Sequence, residues 1–402
     1  MMTIPFSPPY IDENVLKEVE DALKSGWITT GPKVKRLEEL VSHYTKAPNT
    51  LCINSATSGL MLALAWYGVG KGDEVIIPAY TYAATALAVL HVGAIPVMVD
   101  VAKDFNIAIN KIEAAITPKT KAIIPVDIAG WPCDYDAINK LISNKKSLFK
   151  PNHPNQDKLG RILNLADAAH SIGAQYKNKH TGVLADITVF SFHAVKNVTT
   201  AEGGALCLNL PKPFDNEAEY KFLRCISLNG QTKDAFTKSK AGSWRYDIIY
   251  QGFKVNMPDV LAAIGVAQMP TYFDDTLPKR KDIYTFYKTF FEKKEWAILP
   301  PFSDNEKKSS CHLYALRIKD INEAQRDKII EIISQNGVAV NVHFQPLPLL
   351  HLFKNKGYNI KNYPVAYDNY KREISLPIYP QLGKVQLEYI TKTVASAVES
   401  VL

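Results

Sequence analysis

Between about residues 50 and 210, short apolar runs rich in β-branched residues alternate with segments of helical periodicity. This alternation is typical of βαβ units built around a mostly parallel sheet. The predicted strands are Glu74–Pro78, Pro96–Asp100, Lys121–Val126, Arg161–Ala166, Ile187–Phe192 and Ala205–Leu208. The predicted helices between them are Thr57–Tyr67, Thr81–Val92, Ile109–Ala115 and Asp134–Ser143. Because buried parallel strands are continuously apolar, runs such as Ile123–Val126 favour an α/β fold.

After Leu210 the pattern changes to longer helices followed by a mixed tail. The predicted elements are helices at Glu217–Ile226, Pro258–Gln268, Lys279–Lys293 and Glu323–Asn336, strands at His312–Ile318 and Val338–Phe344, and a helix from Lys384. We therefore predict a large domain of residues 1–270 and a smaller α+β domain of residues 271–402, with cofactor and substrate between them. The polar stretch Asn144–Gly160 is predicted to be a surface loop.

Composition excludes several classes of protein. With 47% hydrophobic and 22% charged residues, the chain is not of the disordered type. The net charge of +7 comes without a dense Lys/Arg block, so we expect an anionic small molecule rather than nucleic acid. Five cysteines without C-x-x-C spacing argue against disulfides and zinc, and predict reduced thiols in the cytoplasm, with no metal. The longest uncharged run, Ala83–Val99, contains Gly93 and Pro96, so no membrane span is expected.

The segment Ser191–Gly204 is the most informative part of the chain. It follows a buried strand and holds a lysine, a histidine, hydroxyl groups and two glycines, without a helical stripe. Desolvation of Lys196 there would lower its pKa, which is the condition for an amine nucleophile. A Schiff-base lysine for a carbonyl cofactor fits this position, and an ordinary solvated lysine is the alternative.

Three other strand ends carry suggestive residues. Asp167 ends an apolar strand, where it could hold a proton on a ring nitrogen or simply cap a helix. The small residues of Asn54–Gly59 precede a helix and form either an anion site or a plain cap. Tyr82 could stack on a planar ring or belong to the core. Together with Lys196, these are the parts that hold pyridoxal 5′-phosphate.

These segments resemble the DegT/DnrJ/EryC1/StrS family of pyridoxal-phosphate-dependent sugar aminotransferases. The resemblance covers nearly the whole chain and rests on Ser25–Pro32, Gly72–Ile76, Asp167–His170 and Ser191–Gly204. Within the family it is most similar to the enzymes that aminate a UDP-4-keto-pentose to give UDP-4-amino-4-deoxy-L-arabinose. The resemblance implies the aspartate aminotransferase fold (fold type I), with a mostly parallel sheet in the large domain and a smaller C-terminal α+β domain. It also implies a homodimer with composite active sites.

The resemblance also implies roles for individual residues. Lys196 would form the Schiff base, and Asp167 would pair with the pyridine nitrogen. The remaining cofactor contacts would be Thr57, Ser58 and Ser191 on the phosphate, Tyr82 on the ring face, and His170 beside the ring oxygen, where many relatives have Gln. The candidates for the substrate pocket are Thr30, His193, Asn197, Arg245 and His343.

One segment departs from the family pattern. Many relatives have an Asn that reaches the phosphate from the partner subunit, but here Lys254 occupies that position and Asn256 follows two residues later. Either residue could make the contact, and we favour Asn256. The upstream loop Trp244–Tyr246 is a candidate for binding the diphosphate of a nucleotide, again from the partner.

The implied activity is amino transfer from glutamate to a nucleotide-linked 4-ketosugar by a ping-pong mechanism. The sugar would be a UDP-4-keto-pentose or a UDP- or dTDP-4-keto-6-deoxyhexose, and the product would serve lipopolysaccharide or surface polysaccharide synthesis. One alternative is a fold-type-I enzyme acting on amino acids, for which Arg317 or Arg372 could bind a carboxylate. Another is a sugar dehydratase, although the resembling dehydratases have His at the position of Lys196. A cofactor-binding sensor is a third.

Overall fold

A seven-stranded sheet forms the centre of the larger part of the chain in this computed structural model, which describes residues 2–232 and 245–402. The strands are β1 (Asn49–Ile53), β2 (Glu74–Pro78), β3 (Ile95–Val99), β4 (Thr120–Ile123), β5 (Leu163–Asp167), β6 (Gln175–Tyr176), β7 (Lys179–His180), β8 (Ile187–Ser191), β9 (Gly204–Leu208), β10 (Ala297–Ile298), β11 (Lys307–Lys308), β12 (Tyr314–Ile318) and β13 (Glu373–Leu376). The order in the large sheet is β1-β9-β8-β5-β4-β2-β3. Strands β8, β5, β4, β2 and β3 pair in parallel, and β9 is antiparallel to both of its neighbours. The predicted α/β fold with a mostly parallel sheet is confirmed.

Helices cover both faces of this sheet. The described helices of both parts of the chain are α1 (Glu13–Lys24), α2 (Pro32–Thr45), α3 (Ala56–Trp66), α4 (Ala83–His91), α5 (Ile109–Ala115), α6 (Tyr135–Asn144), α7 (Pro154–Leu159), α8 (Asn216–Ser227), α9 (Asp259–Thr271), α10 (Leu277–Phe291), α11 (Glu323–Gln335), α12 (His351–Asn355), α13 (Pro364–Tyr370) and α14 (Lys384–Glu399). Since successive side chains of a strand point to opposite faces, Val189 packs with the core that contains α3, whereas Phe190 packs with the core that contains α2 and α9. None of the helices within the described ranges has both the length and the apolar character needed to cross a bilayer.

The C-terminal part contains its own antiparallel sheet, in the order β10-β12-β13. Its core includes residues of α10, α11 and α14. The N-terminal segment also joins this core, because Ile4 is buried in it and bridges to Val338. In the other direction, Leu347 and Phe353 pack with the large core. The boundary between residues 270 and 271 stays a prediction, and a continuous helical run from α9 to α10 passes through it.

Two local predictions are wrong. Val338–Phe344 is not a strand, because this segment makes only single bridges, from Val338 to Ile4 and from Asn341 to Ser375, while the unpredicted β13 pairs with β12. The stretch Asn144–Gly160 is not simply a loop, because it contains α7 and the buried Gln156. The Gln156 Nε2 donates to the carbonyl of Tyr67 at 3.0 Å, which anchors the segment to the end of α3.

A buried carboxylate joins α9 to the start of α2. Asp259 Oδ1 accepts hydrogen bonds from the N–H groups of Gly31 at 2.8 Å and Val34 at 3.0 Å. Its Oδ2 accepts from Lys33 N at 3.0 Å. Asp259 therefore satisfies backbone donors that the first turn of a helix otherwise leaves without acceptors.

We expect Asp259→Ala to lower the free energy of unfolding by about 2–3 kcal/mol, because three backbone donors lose their acceptor in a buried place. Urea-induced unfolding at a fixed protein concentration measures this change. The matched control is Asp12→Ala, which removes a half-buried cap on Val15 N and should cost about 1 kcal/mol. If both variants lowered the free energy of unfolding by the same amount, the larger contribution expected from the Asp259 contacts would be contradicted.

Candidate active site

A cavity of about 470 Å³ lies at the carboxyl ends of the parallel strands, where an open α/β sheet binds its ligands. Phe6 and Ser7 from the N-terminal segment line it, and the C-terminal part contributes His312, Leu313 and Ile378. Eight of the predicted site residues line this one cavity: Thr57, Tyr82, Asp167, His170, Ser191, His193, Lys196 and His343. Residues separated by nearly 300 positions in the sequence therefore meet here.

Asp167 is a buried carboxylate at the end of β5. Its Oδ2 accepts a hydrogen bond from Thr85 Oγ1 at 2.8 Å, and its Oδ1 accepts from Ala169 N at 3.3 Å. Burial raises the pKa of Asp167, while Thr85, Ala169 and the charge of Lys196 lower it. A buried carboxylate with a raised pKa is stabilised by a cation, so a protonated ring nitrogen fits this position.

Lys196 lies in the turn that follows β8. Its backbone N–H donates to the His193 carbonyl at 2.9 Å, which helps to hold the turn at the cavity wall. Burial lowers the pKa of Lys196 to about 8, and the carboxylate of Asp167 opposes this shift. A substantial share of the amine is therefore neutral near physiological pH, as a Schiff-base lysine requires.

The first turn of α3 forms an anion site on the same edge. Ser55 caps the helix by accepting from Ser58 N at 3.1 Å, and its hydroxyl lies 2.9 Å from that of Ser58. Gly204 makes the close approach of β9 to this turn possible, since a Cβ there would lie 2.7 Å from Ala56 N. Thr57 and the buried Ser191 line the cavity beside it. Free N–H groups and hydroxyls at a helix N-terminus suit a phosphate.

Three histidines face the cavity in their neutral form. Burial lowers the pKa of His170 and His312 well below the ordinary value, and burial together with Lys196 lowers the pKa of His343 to about 3. The rings of His170 and His312 have centroids 4.3 Å apart. His170 Nδ1 accepts from Ala129 N at 3.3 Å, so the ring proton of His170 is on Nε2.

The mouth of the cavity is aromatic on one side. Tyr82 is 63% exposed at the N-cap of α4, and its ring centroid lies 5.7 Å from that of Phe344. This exposed ring fits the predicted stacking face for a planar cofactor. His193 and Glu202 also line the cavity, and His193 Nε2 lies 3.6 Å from a carboxylate oxygen of Glu202.

Several predicted residues do not line the cavity within the described part of one chain. The Asn197 side chain donates to the Ser310 carbonyl at 2.9 Å and accepts from His312 Nδ1 at 2.9 Å, so it holds His312 in place. Asn256 Nδ2 donates to Thr30 Oγ1 at 2.6 Å, and Thr30 Oγ1 donates to the Met257 carbonyl at 2.6 Å.

The remaining candidates are half-buried or exposed and do not line the cavity within the described residues. Ser58 serves the helix cap, and Lys254 and Arg245 are exposed. Trp244 lies outside the described residues. Lys254 and Arg245 therefore serve the cavity only if a second copy of the chain places them there.

Sequence reasoning missed residues that are distant in the chain or belong to no strand end. Thr85 lies three residues after Tyr82 at the start of the predicted helix Thr81–Val92, and this spacing is a signal that could have been used. His312, Phe344 and Phe6 carry no such signal, because only the folded chain brings them to the cavity.

Comparison with known proteins gives the family. The model of the DegT/DnrJ/EryC1/StrS aminotransferase family matches residues 9–395. The chain is 34% identical over 401 residues to the spore coat polysaccharide biosynthesis protein SpsC of Bacillus subtilis, covering 98% of this chain and 97% of SpsC. It is 40% identical over 385 residues to MJ1066 of Methanocaldococcus jannaschii, a protein of unassigned function, covering 94% of each.

Solved structures agree with this result. Spr1654 from Streptococcus pneumoniae, named as a sugar aminotransferase, superposes in its PMP form with a TM-score of 0.96, at 44% identity and over 100% of both chains. PseC of Helicobacter pylori, an aminotransferase of pseudoaminic acid biosynthesis, superposes with a TM-score of 0.86, at 27% identity, over 99% of this chain and 100% of PseC. The chain belongs to the DegT/DnrJ/EryC1/StrS family and is a fold-type-I aminotransferase whose cofactor is pyridoxal 5′-phosphate.

We expect the rate at which cofactor-free protein captures added pyridoxal 5′-phosphate to rise with pH through about 8, because the neutral amine of Lys196 is the nucleophile and burial lowers its pKa to about that value. Stopped-flow absorbance of the covalent adduct measures the profile. In Asp167→Asn the midpoint should move to lower pH, since the carboxylate that raises the pKa of Lys196 is gone. A wild-type midpoint near the ordinary lysine value, or an upward move in Asp167→Asn, would contradict this assignment.

Proposed function

We propose that the chain transfers the amino group of glutamate to a nucleotide-linked 4-ketosugar by a ping-pong mechanism. The observation that carries this proposal is the composition of the cavity at the carboxyl ends of the parallel strands. It joins Lys196, Asp167 and the anion site of α3 to a wall of neutral histidines. Neutral imidazoles provide hydrogen bonds for sugar hydroxyls without a fixed charge.

The geometry disfavours an enzyme that acts only on amino acids. Among the described residues that line the cavity there is no arginine to bind an α-carboxylate. The Arg317 guanidinium lies over the ring of Phe105, with 4.8 Å to the centroid, and Arg372 pairs with Asp368. Both arginines are therefore engaged elsewhere in the chain.

A sugar dehydratase of the resembling type is disfavoured by Lys196 itself. The dehydratases that resemble this family have His at that position, whereas here a lysine with a lowered pKa faces the cavity beside Asp167. An amine there can move a proton in both directions, as amino transfer requires.

The residues of this chain would divide the chemistry as follows. The α3 N-terminus with Thr57 and Ser191 would hold the cofactor phosphate, and Tyr82 would cover one face of the ring. Asp167 would hold the proton on the ring nitrogen. When bound, pyridoxal 5′-phosphate supplies an electron sink for the carbanion that forms as the substrate loses a proton. Lys196 Nζ would take that proton as general base and return it as general acid.

The two substrates would use the same cavity in turn, which is the basis of the proposed ping-pong kinetics. We propose a UDP-4-keto-pentose or a UDP- or dTDP-4-keto-6-deoxyhexose as the amino acceptor. The name of SpsC supports a product that enters a surface polysaccharide. Five free cysteines, four of them buried, support a cytoplasmic location.

We further propose a homodimer in which each cavity is completed by the partner subunit. Hydrophobic side chains cluster on the surface close to Arg245, where Ile248 and Ile249 are more than half exposed. Exposed apolar residues of this kind are typical of a contact surface. This contact would bring Arg245, Lys254 and Asn256 towards the second cavity.

Glutamate should convert the absorbance of the holoenzyme to that of the aminated cofactor, and a UDP-4-keto-pentose should restore the first spectrum. Lys196→Ala should lose both changes, because no general base remains at that position. The control is Lys121→Met, which removes another buried lysine outside the cavity and should retain both changes. If no nucleotide-linked 4-ketosugar restored the first spectrum, the proposed class of amino acceptor would be refuted. A Lys196→Ala variant that still transferred the amino group would refute the role of Lys196.

Composite sites can be tested by mixing two defective chains. Lys196→Ala alone and Lys254→Ala/Asn256→Ala alone should each have little activity. If the phosphate contact comes from the partner, a hybrid dimer contains one cavity with all its residues intact. Random pairing in an equimolar refolded mixture makes about half of the dimers hybrids, so about a quarter of wild-type activity should return. An absence of recovery in verified hybrid dimers would show that each chain completes its own cavity.

A further inference from the structure

A chain of polar groups leads from the C-terminal sheet to the cavity. Glu373 and Ser375 lie on β13, and both are fully buried. The Ser375 hydroxyl is hydrogen-bonded to Glu373 Oε1 and lies 2.9 Å from Nδ1 of His343. The His343 backbone N–H donates to Glu373 Oε2 at 2.9 Å. A carboxyl, a hydroxyl and an imidazole are thus connected in series, and the imidazole lines the cavity.

We propose that Glu373 is a positioning residue that acts through the Ser375 hydroxyl to set which ring nitrogen of His343 carries the proton. The reason is the hydrogen count. Ser375 has one proton to donate, so it either donates to Glu373 and accepts from His343 Nδ1–H, or accepts from a protonated Glu373 and donates to His343 Nδ1. The first state leaves His343 Nε2 as an acceptor, and the second makes Nε2–H a donor.

His343 itself stays neutral in both states, because burial and Lys196 lower its pKa to about 3. Burial raises the pKa of Glu373 to about 8, so its acid form predominates at neutral pH. The ionisable groups that act on Glu373 from the elements packed around it are Arg317 on β12, Arg326 on α11 and Tyr80 after β2. The Ser375 hydroxyl and the His343 backbone N–H also lower its pKa. The two arginines favour the carboxylate, but burial has the larger effect.

The consequence for the reaction rests on the proposed function. At neutral pH, His343 Nε2–H would donate to an oxygen of the substrate bound beside Lys196. If that proton is transferred, the Ser375 proton moves to Nδ1 and the Glu373 proton moves to the Ser375 oxygen, which leaves a carboxylate and a neutral ring. The proton count balances without any other donor.

Nuclear magnetic resonance of holoprotein labelled with nitrogen-15 histidine tests the tautomer directly, and it does so whatever the substrate is. The resonances of His343 are identified by their absence from His343→Asn. At pH 9.5 the wild type should have its ring proton on Nδ1. Glu373→Gln should have it on Nε2 at pH 9.5 and at pH 6.5, because the Gln carbonyl accepts from His343 N–H and its amide can only donate to Ser375. The same tautomer in both proteins at pH 9.5 would overturn the proposal.

The wild type at pH 6.5 should match Glu373→Gln, and a wild type that keeps Nδ1–H there would overturn the donor form at neutral pH. Ser375→Ala should abolish the pH response, and a retained response would show that Ser375 is not the connection. Ile374→Val is the matched control on β13 and should behave like the wild type. His170 and His312 are internal references, since Ala129 N–H and Asn197 Oδ1 hold their tautomers. These outcomes do not depend on amino transfer, so a failure of the proposed function is seen separately.

Discussion

The buried carboxylate of Asp167 is the charge on which the rest of the site depends. A carboxylate at this depth is costly unless hydrogen bonds and a nearby cation stabilise it. Thr85 and Ala169 supply the hydrogen bonds, and Lys196 supplies the charge. In return, Asp167 keeps the pKa of Lys196 from falling further. Each residue therefore favours the charged form of the other against the effect of burial, and the pairing of β5 with β8 brings Asp167 close to the turn that carries Lys196.

Much of this arrangement could be predicted from the sequence because it depends on strand ends. Asp167 ends β5, Ser191 ends β8, and Lys196 follows in the next turn, so the rule that ligands bind beyond the carboxyl ends of parallel strands brings them together. Helix α3 could be placed for the same reason. The resemblance to the aminotransferase family then gave these positions their chemistry, and the family itself is confirmed.

The rest depends on contacts that no local pattern encodes. The apolar character of Val338–Phe344 predicts a strand. In the structure this segment forms only two isolated β-bridges, one to Ile4 and one to Ser375. Asn197 stands next to Lys196 in sequence, yet its side chain turns away and holds His312, which is 115 residues further along. A prediction from neighbours in the sequence could not find this, because the packing of the C-terminal part decides it.

The wall formed by His343 has a consequence for how the protein is made. The ring of Phe6 stacks on that of His343 with 5.4 Å between centroids, so two side chains from distant parts of the sequence are in contact. At about 5–20 residues per second, roughly 15–70 s of translation separate the two side chains. The seven-stranded sheet is complete once Leu208 has been added, but the cavity gains its remaining walls only after most of the C-terminal part has emerged from the ribosome. The complete cofactor pocket is therefore available only late in the synthesis of the chain.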